Sequence, residues 1–538
     1  MSKPNHDIEY LPIRSNIDEP QNSQSQLSTS SQSTQKLSYS AFTKRQKIWI
    51  VSIIASTAWF SLLSSFIFFP VITTLAEDLH TTVGRINLTV TSYLIFAAIT
   101  PSVVGSFSDI SGRRPAYIVT ISLYVAANIG LACQNSFVAL FVLRMLQSAG
   151  IAGSFSVSYG VIADIASPAE RGSFVGAVAF GTNTAPSIGP ILGAVLNAKV
   201  GWRWIFWFLA ILSGICLTLI SLTLPETARA VVGNGGIPAH GIHAVPFKKM
   251  VATPLPVDAN KNFNIYTRTR WQVPNPLTCL KVLLLKDSFL VILVLGIVYM
   301  TYACLQTSLA TLFIQIYGFD ELQAGLIYIP FGIGCALAAW GAGKVLDRDY
   351  RCTAKAYNFT IDKKHGDELL DFPLEKARVT SIFYPITLAV VSTVGYGWCL
   401  ERRTPYVIPL ILQFFQGGSL QACSTILNTL LMDLNQDSAS TSQACCNIIR
   451  CSLAAAALAC LDPLVNVVGV GFCFTIIGGI TSICIPVLLL ERTRGWGWRL
   501  ERERLRIAAV EPDSGVERFR ERLELRNTNR PEELETLI

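Results

Sequence analysis

The sequence predicts an all-α polytopic membrane protein with twelve transmembrane helices, arranged as two pseudo-symmetric six-helix bundles. Of its 538 residues, 51% are hydrophobic and only 15% are charged, whereas soluble domains carry about 25% charged residues. The mean hydropathy is +0.44. Apolar runs of about 20 residues, the length of a spanning helix, recur in two sets of six. The 14 cysteines form no CxxC pair and are interpreted as small helix residues, not as metal ligands or a disulfide framework.

The chain begins with a polar segment at residues 1–47, rich in Ser, Gln and Thr. This composition predicts a disordered cytoplasmic N-terminal tail. The first six-helix bundle is predicted over residues 48–224. Its apolar runs lie at 48–71, 86–108, 115–133, 137–161, 172–196 and 203–224.

A polar stretch at residues 225–287 predicts a cytoplasmic central loop. It contains His240 and His243, but a metal site needs three or four ligands, so a plain flexible loop is favoured. The second bundle is predicted over residues 288–490. Its apolar runs lie at 288–315, 322–345, 379–400, 405–432, 442–466 and 468–490. Residues 491–538 are predicted to form a charged cytoplasmic tail. From Arg492 to Arg526 this tail alternates Glu and Arg at helical spacings, which predicts a solvated helix.

The distribution of basic residues predicts the orientation. Lys44, Arg45 and Lys47 flank the first span, and most other Lys and Arg residues fall on the same side. The loops on the opposite side contain only Arg85, Lys199, Arg203, Arg402 and Arg403. The positive-inside rule therefore places both termini in the cytoplasm. This asymmetry accounts for the net charge of +7, so we expect a lipid bilayer, and not nucleic acid, as the partner.

The first motif lies where the second span should end on the cytoplasmic side. Gly105, Asp109, Gly112, Arg113 and Arg114 are spaced as G-x-x-x-D-x-x-G-R-R. The glycines permit close helix approach and a tight turn, and the opposite charges can form an ionic latch that breaks when helices move. An ordinary basic loop is the alternative interpretation.

A degraded copy of this motif lies at the matching place in the second half, at Gly343, Asp347 and Arg348. One copy in each half indicates an internal duplication of the chain. The second copy lacks the later Gly-Arg-Arg, which leaves open whether it forms a second latch.

Two arginines are predicted deep inside the bilayer. Arg144 lies about 10 Å from the outer end of its span and Arg450 about 12 Å from the cytoplasmic end of its own. Buried guanidinium groups are costly and need partners. If both face a central cavity, that cavity favours a carboxylate, which guanidinium binds through two parallel hydrogen bonds. Asn183 is a candidate cavity hydrogen-bonding residue, with helix packing as the alternative.

A proton-coupled carrier would usually contain a carboxylate or histidine inside the bundle. Asp462, toward the outer end of the eleventh span, is the candidate proton site, and a helix-end residue is the alternative. Asp164 and Asp433 lie near cytoplasmic helix ends, where capping or loop pairing is the favoured use.

The fifth span carries small residues every fourth position, which forms one smooth face along a helix. Two prolines interrupt its hydrogen-bond ladder. A smooth, bendable helix suits a contact that changes during alternating access. The face and the prolines comprise Gly181, Ala185, Gly189, Gly193, Pro186 and Pro190.

These motifs resemble those of the major facilitator superfamily, and the resemblance covers about residues 40–500. The loop motif, Arg144 with Gln147 in R-x-x-Q, and the antiporter motif of the fifth span carry it. Further segments resemble the fungal twelve-span drug:proton antiporters, particularly the quinidine-resistance branch, which includes organic-acid exporters. These segments lie at 163–172, 200–207, 224–229 and 442–453, the last containing Asn447 and Arg450.

The resemblance implies a monomeric secondary transporter in the plasma membrane, with the vacuolar membrane as the alternative, that exports small organic compounds by proton-coupled alternating access. The deep arginines favour organic anions, such as the di- and tricarboxylates exemplified by citrate. A broad multidrug or polyamine antiporter is the main alternative, and a non-transporting nutrient sensor a remote one. An enzyme is disfavoured because no catalytic constellation is visible, and no cofactor, metal or ATP-binding loop is predicted.

Overall fold

The computed structural model describes residues 39–510, except 69–70, 247–275, 320–322, 324–325, 362–369 and 371. The predicted disordered tail therefore lies almost wholly outside the described residues, as does most of the charged C-terminal tail. Within the described part of the chain the regular secondary structure is helical, without strands.

Six helices form the first bundle, and two of them are broken near their middle. The break in α4 is at Ala152, and the break in α5 is at Thr184, whose hydroxyl donates to the carbonyl of Gly181. The helices are α1 (Lys44–Phe66), α2 (Val83–Ser111), α3 (Arg113–Cys133), α4 (Phe137–Ile165), α5 (Pro168–Asn183 and Ala185–Val200) and α6 (Arg203–Thr223).

Six further helices form the second bundle, after the short 3-10 helix Pro276–Leu284. They are α7 (Lys286–Tyr317), α8 (Tyr328–Ala356), α9 (Leu374–Glu401), α10 (Val407–Leu434), α11 (Ala439–Val468) and α12 (Val470–Ser482 and Cys484–Val510).

Ten of the described helices are long and apolar enough to cross a membrane. The other two are α5, which is divided at Thr184, and α10, whose four Gln and Asn side chains lower its mean hydropathy. Both have the length of a span and occupy the predicted fifth and tenth positions. The predicted all-α polytopic fold is therefore confirmed.

Short connections make successive helices antiparallel. A single residue, Gly112, separates α2 from α3, and its φ of 101° is a conformation that favours glycine. Because such connections cannot cross a bilayer, α1 begins at the same membrane face that contains the α2–α3, α4–α5 and α10–α11 connections. We call this face the charged face; it corresponds to the side predicted to be cytoplasmic.

The last helix extends beyond the predicted end of the second bundle at residue 490. Arg499 donates to the carbonyl of Phe372 at 2.6 Å, and Arg502 pairs with Asp287 at 3.0 Å. The first turns of the predicted solvated tail are thus packed against the charged face, because their arginines meet acceptors on the second bundle.

The small residues of α5 pack against α1. A Cβ added at Gly189 would lie 3.0 Å from Phe66 Cβ, and one at Gly193 would collide with the Ile67 carbonyl. Gly181 is looser, at 3.6 Å from Ala55 Cβ. The smooth face is therefore buried against a helix of the same bundle. The Pro186 side chain lies outside the described residues.

We expect Gly189→Leu to slow transport without preventing insertion. The added side chain has no space beside α1, and overpacking of this kind typically costs about 1–3 kcal/mol. Initial efflux rates at matched surface abundance measure the effect. Gly214→Leu is the control, because the space around Gly214 on α6 is open. Equal rates for both variants would show that the α5–α1 contact does not control the transport cycle.

A second close contact joins the two bundles. A Cβ at Gly176 would lie 2.6 Å from the Ala339 carbonyl, and one at Gly343 would lie 2.6 Å from the Gly172 carbonyl. The contact between α5 and α8 that crosses the two halves thus involves Gly172 and Gly176, which precede the predicted smooth face. Gly343, the first glycine of the degraded motif copy, is its partner.

Candidate transport site and its closure

The Gly105–Arg114 motif forms an ion-pair network at the charged face. Arg113, only 4% exposed, donates to Asp164 at 2.9 Å and also pairs with Asp109, four residues earlier at the end of α2. Its guanidinium further donates to Ser440 of α11 at 2.9 Å. Arg113 is therefore a buried structural cation and not a solvated loop residue, because two carboxylates compensate its charge.

Asp109 extends this network across the two bundles. Its carboxylate accepts a hydrogen bond from the Thr441 backbone N–H at 3.1 Å and from the Thr441 hydroxyl at 2.6 Å. Thr441 lies in the first turn of α11, where backbone N–H groups lack helical partners and favour an anion. We refer to Asp109, Arg113, Asp164 and Thr441 as the latch.

Glu226, which follows α6, stabilises the start of α3 next to the latch. It accepts hydrogen bonds from the Arg113 backbone N–H at 2.8 Å and the Arg114 N–H at 3.2 Å, at the start of α3. Burial would raise the pKa of Glu226, but hydrogen bonds from His243 and from backbone N–H groups lower it below its usual range. Glu226 therefore acts as an ionised cap for α3.

The central loop is ordered where it meets this cap. His243 Nδ1 lies 2.9 Å from the Glu226 carboxylate, and Arg114 donates to the carbonyls of Ile242 and, at 2.5 Å, of Ser221. His243 thus has a carboxylate partner, and the plain flexible loop stays a prediction for the rest of the segment. His240 takes no part in these contacts. No cluster of three metal-binding side chains occurs among the described residues.

A second buried ion cluster joins α5, α9 and α10. Asp433 accepts from Arg171 at 2.5 Å and from Arg378 at 2.8 Å, and all three side chains are fully buried. Arg378 also donates to the Pro168 carbonyl at 2.5 Å. Arg171 belongs to the first bundle and the other two to the second, so Asp433 ties the bundles together.

The degraded motif copy is arranged differently from the latch. Asp347 accepts a hydrogen bond from the Ser173 hydroxyl across the bundle interface. Arg348 is exposed and forms no ion pair with any residue that the structure describes. The second half therefore contains a polar contact here instead of a second arginine–carboxylate latch, because it lacks the later Gly-Arg-Arg.

We expect Asp109→Asn to impair transport while leaving insertion intact. The substitution keeps an acceptor for Thr441 but removes the charge that pairs with Arg113. Efflux rates at wild-type surface abundance measure the loss. Asp347→Asn is the matched substitution in the second copy, where the carboxylate accepts a hydrogen bond from Ser173 and forms no ion pair with an arginine among the described residues. Wild-type efflux by Asp109→Asn would contradict the latch.

Arg144 lies inside the first bundle, beneath aromatic rings. It is 1% exposed, with its guanidinium 4.1 Å from the Phe68 ring centroid and 4.4 Å from that of Tyr93. It donates to Gln147 at 2.6 Å, and Gln147 donates to Asn128 at 2.7 Å. The condition that both deep arginines face a central cavity is thus not met: Arg144 is enclosed by its own bundle.

Arg450 lies between the two bundles. Its guanidinium is 5.1 Å from the ring centroid of Phe155 on α4 and 4.7 Å from that of Tyr299 on α7. Its Nε donates to Asn447 at 3.0 Å, and Asn447 donates to the Ala97 carbonyl of α2 at 2.9 Å. Arg450 is half-buried and pairs with no carboxylate among the described residues. Its positive charge is therefore contacted by aromatic rings and an amide, and not by a carboxylate, within the described residues.

Asn183 lies near the break in α5 and lines a small pocket between the bundles. Its amide donates to the Ala179 carbonyl at 2.6 Å. The pocket is completed by α7 and α8 residues, namely Tyr302, Gln306, Tyr328, Phe331, Gly332 and Cys335. Asp462, the predicted proton site, lies in α11 before Pro463, and its side chain is outside the described residues.

The described polar contacts that hold the two bundles together lie on one side of Arg450 and the pocket. The hydrogen bonds and ion pairs that join the bundles within the described ranges lie between the charged face and Asn447. Asn447 is about 12 Å from the start of α11, which is less than half the hydrocarbon thickness of about 30 Å. The structure is thus closed at the charged face.

Sequence reasoning did not identify several of these residues. Asp433 is predicted only to cap a helix or to pair within a loop. Its pairing with Arg171 and Arg378 was not predicted, although the positions of all three next to span ends are a usable signal. Phe155 and Tyr299 carry no signal, because aromatic residues inside apolar runs are indistinguishable from core residues.

Comparisons with known proteins agree on the family. The family profile described as Major Facilitator Superfamily matches residues 54–458. The MFS-type transporter phiD of Fungal sp. (strain ATCC 74256) is 36% identical over 476 residues, covering 87% of this chain and 72% of the relative. Citrate exporter 1 of Aspergillus niger is 34% identical over 483 residues, covering 88% and 90%.

Solved structures show the same fold. The human organic anion transporter MFSD10 (TETRAN) aligns with a TM-score of 0.56 at 17% identity, covering 82% of this chain and 99% of that one. The proton:xylose symporter XylE aligns with a TM-score of 0.60 at 14% identity, covering 84% and 96%.

Proposed function

The chain belongs to the major facilitator superfamily, and from this membership we propose that it exports small organic anions by proton-coupled alternating access. That it is a multi-pass membrane transporter follows from the family and from its apolar helices. The substrate class, the direction and the coupling ion are the proposal.

One observation carries the choice of anions. Arg450 holds a positive charge between the bundles without a carboxylate partner among the described residues. A guanidinium in a membrane protein is costly unless an anion compensates it. A carboxylate-bearing substrate supplies that anion and matches the geometry of the two terminal nitrogens.

The comparisons support this choice from outside the structure. One relative that matches nearly the full length is named a citrate exporter, and one solved protein of the same fold is named an organic anion transporter. Citrate and other di- and tricarboxylates are therefore the first substrates to test.

Alternating access is supported by the closure at the charged face. If that face is cytoplasmic, as the distribution of basic residues predicts, the bundles are closed toward the cytoplasm. Release of the latch and of the Asp433 cluster would then open the site inward for loading. We place the protein in the plasma membrane as a monomer, with inward proton flow as the energy source and Asp462 as the first proton site to test.

The decisive experiment measures efflux from loaded cells or proteoliposomes. Radiolabelled citrate and malate are compared with a polyamine and a cationic drug, with and without an imposed pH gradient. Carboxylate efflux that depends on the gradient supports the proposal. Efflux of the drug or polyamine alone would establish the multidrug alternative, and no efflux of any compound would favour a sensor.

A further inference from the structure

A row of aromatic residues, Tyr299, Tyr302 and Phe331, extends from Arg450 along α7 to α8. The Tyr299 ring that faces Arg450 stacks on Tyr302, with 5.8 Å between centroids and an interplanar angle of 11°. Tyr302 in turn meets Phe331 of α8 edge-on at 5.3 Å. Tyr299 and Tyr302 are both half-buried, so part of each ring is accessible. The partly accessible rings of Tyr299 and Tyr302 thus lie next to a guanidinium that pairs with no described carboxylate.

The row ends at the pocket that Asn183 lines. Tyr302 and Phe331 form part of its wall, together with Gln306 one turn further along α7. The side-chain oxygen of Gln306 is buried and accepts no hydrogen bond from the residues that the structure describes. A buried acceptor without a donor costs about 1–3 kcal/mol, so a ligand that donates a hydrogen bond there would be stabilised.

The charges available to the site set a limit on the substrate. Among the described residues between the bundles, Arg450 is a half-buried cation without a carboxylate partner, whereas Arg144 is enclosed by Phe68 and Tyr93. A trianion placed here would leave charges without partners in a low-dielectric site, which is unfavourable. The single guanidinium of Arg450 can neutralise one carboxylate of a substrate.

The distance from Tyr299 to Gln306 also favours a substrate longer than citrate. Tyr299 and Gln306 are seven residues apart on one helix, hence about 10 Å along its axis. A five-carbon chain such as that of citrate is shorter than this distance. A molecule that contacts both ends needs a carboxylate, an intervening ring-bearing body and a hydrogen-bond donor beyond it.

We propose that the transporter selects amphipathic carboxylates, with one carboxylate bound by Arg450, a flat apolar body on Tyr299 and Tyr302, and a donor group facing Gln306. This inference rests on the proposed anion export and narrows its substrate class. Aromatic contacts give the body its affinity, and small hydrophilic polycarboxylates are weaker substrates.

The test compares substrates in proteoliposomes containing the purified full-length chain. Labelled hydroxynaphthoate, which carries one carboxylate, a fused ring and a hydroxyl donor, is measured beside citrate and beside the neutral amide of the same naphthol. We expect the lowest KM for hydroxynaphthoate and no carrier-dependent efflux of the amide.

Variants separate the ring contact from the charge. Tyr302→Leu should raise the KM for hydroxynaphthoate about five- to tenfold, and Tyr302→Phe should restore it. Tyr384→Leu, at an exposed position on α9, is the matched control and should leave every KM unchanged.

The outcomes are distinguishable. Citrate efflux with a lower KM than hydroxynaphthoate, unaffected by Tyr302→Leu, overturns the amphipathic specificity but leaves anion export standing. Efflux of a cationic drug without efflux of either carboxylate overturns the proposed function itself, and this inference with it.

Discussion

Replacing Arg450 by Gln should abolish carboxylate efflux. The substitution removes the cation between Phe155 and Tyr299 but retains a side chain that can still bond to Asn447. Because charge-assisted hydrogen bonds are worth about 1.5–3 kcal/mol each, the loss of two corresponds to a reduction in affinity of at least a hundredfold. Radiolabelled carboxylate efflux at matched surface abundance is the measurement.

Arg450→Lys distinguishes geometry from charge. Lysine keeps the positive charge but cannot form two parallel bonds from a planar group. We expect affinity to fall by a factor of about ten or more, with efflux still detectable at high substrate concentration. If Arg450→Gln exports carboxylates normally, the assignment of Arg450 to the substrate is wrong.

The corresponding substitution at Arg144 provides a comparison within the same chain. Arg144 is enclosed with Gln147, Phe68 and Tyr93, so we expect Arg144→Gln to affect folding or the conformational cycle. The KM for the carboxylate should change little in any protein that reaches the surface. A large KM effect at Arg144 would show that it becomes accessible in another state of the transport cycle.

The fold could be read from the sequence because bilayer thickness and hydrophobicity determine it locally. Each span needs about 20 apolar residues, and such runs are visible without knowledge of their neighbours. The limits of α12 could not be read in this way. They depend on the pairing of Arg499 with Glu375 of α9 and of Arg502 with Asp287 of α7, which lie far away in the sequence.

The candidate site was predicted only in part, for the same reason. The deep positions of Arg144 and Arg450 follow from counting residues along a helix, and both are buried or half-buried in the structure. Which one faces the partner bundle depends on helix rotation and on aromatic neighbours such as Phe68 and Tyr299. Apolar periodicity does not distinguish these rings from ordinary core.

The buried cluster around Asp433 provides a second strong prediction, because its charge balance is uneven. Two arginines, Arg171 and Arg378, share one carboxylate, so the cluster carries a net charge of +1. Asp433→Asn raises this to +2 inside the protein, whereas Arg171→Gln lowers it to zero. Both variants remove the same ion pair between the bundles, but they leave opposite charge imbalances behind.

We therefore expect Asp433→Asn to be much the more damaging of the two. Breaking a buried ion pair by removing one partner typically costs about 3–5 kcal/mol, mostly because the remaining charge is uncompensated. In Arg171→Gln the remaining Arg378–Asp433 pair is balanced, so the protein should stay folded while closure at the charged face weakens.

Thermal unfolding of the purified variants should show a large loss of stability for Asp433→Asn and a small one for Arg171→Gln. The double variant should recover part of the loss, because one of the two unpaired arginines is gone. Equal losses in both single variants would show that the inter-bundle contact itself, and not charge compensation, determines stability at this cluster.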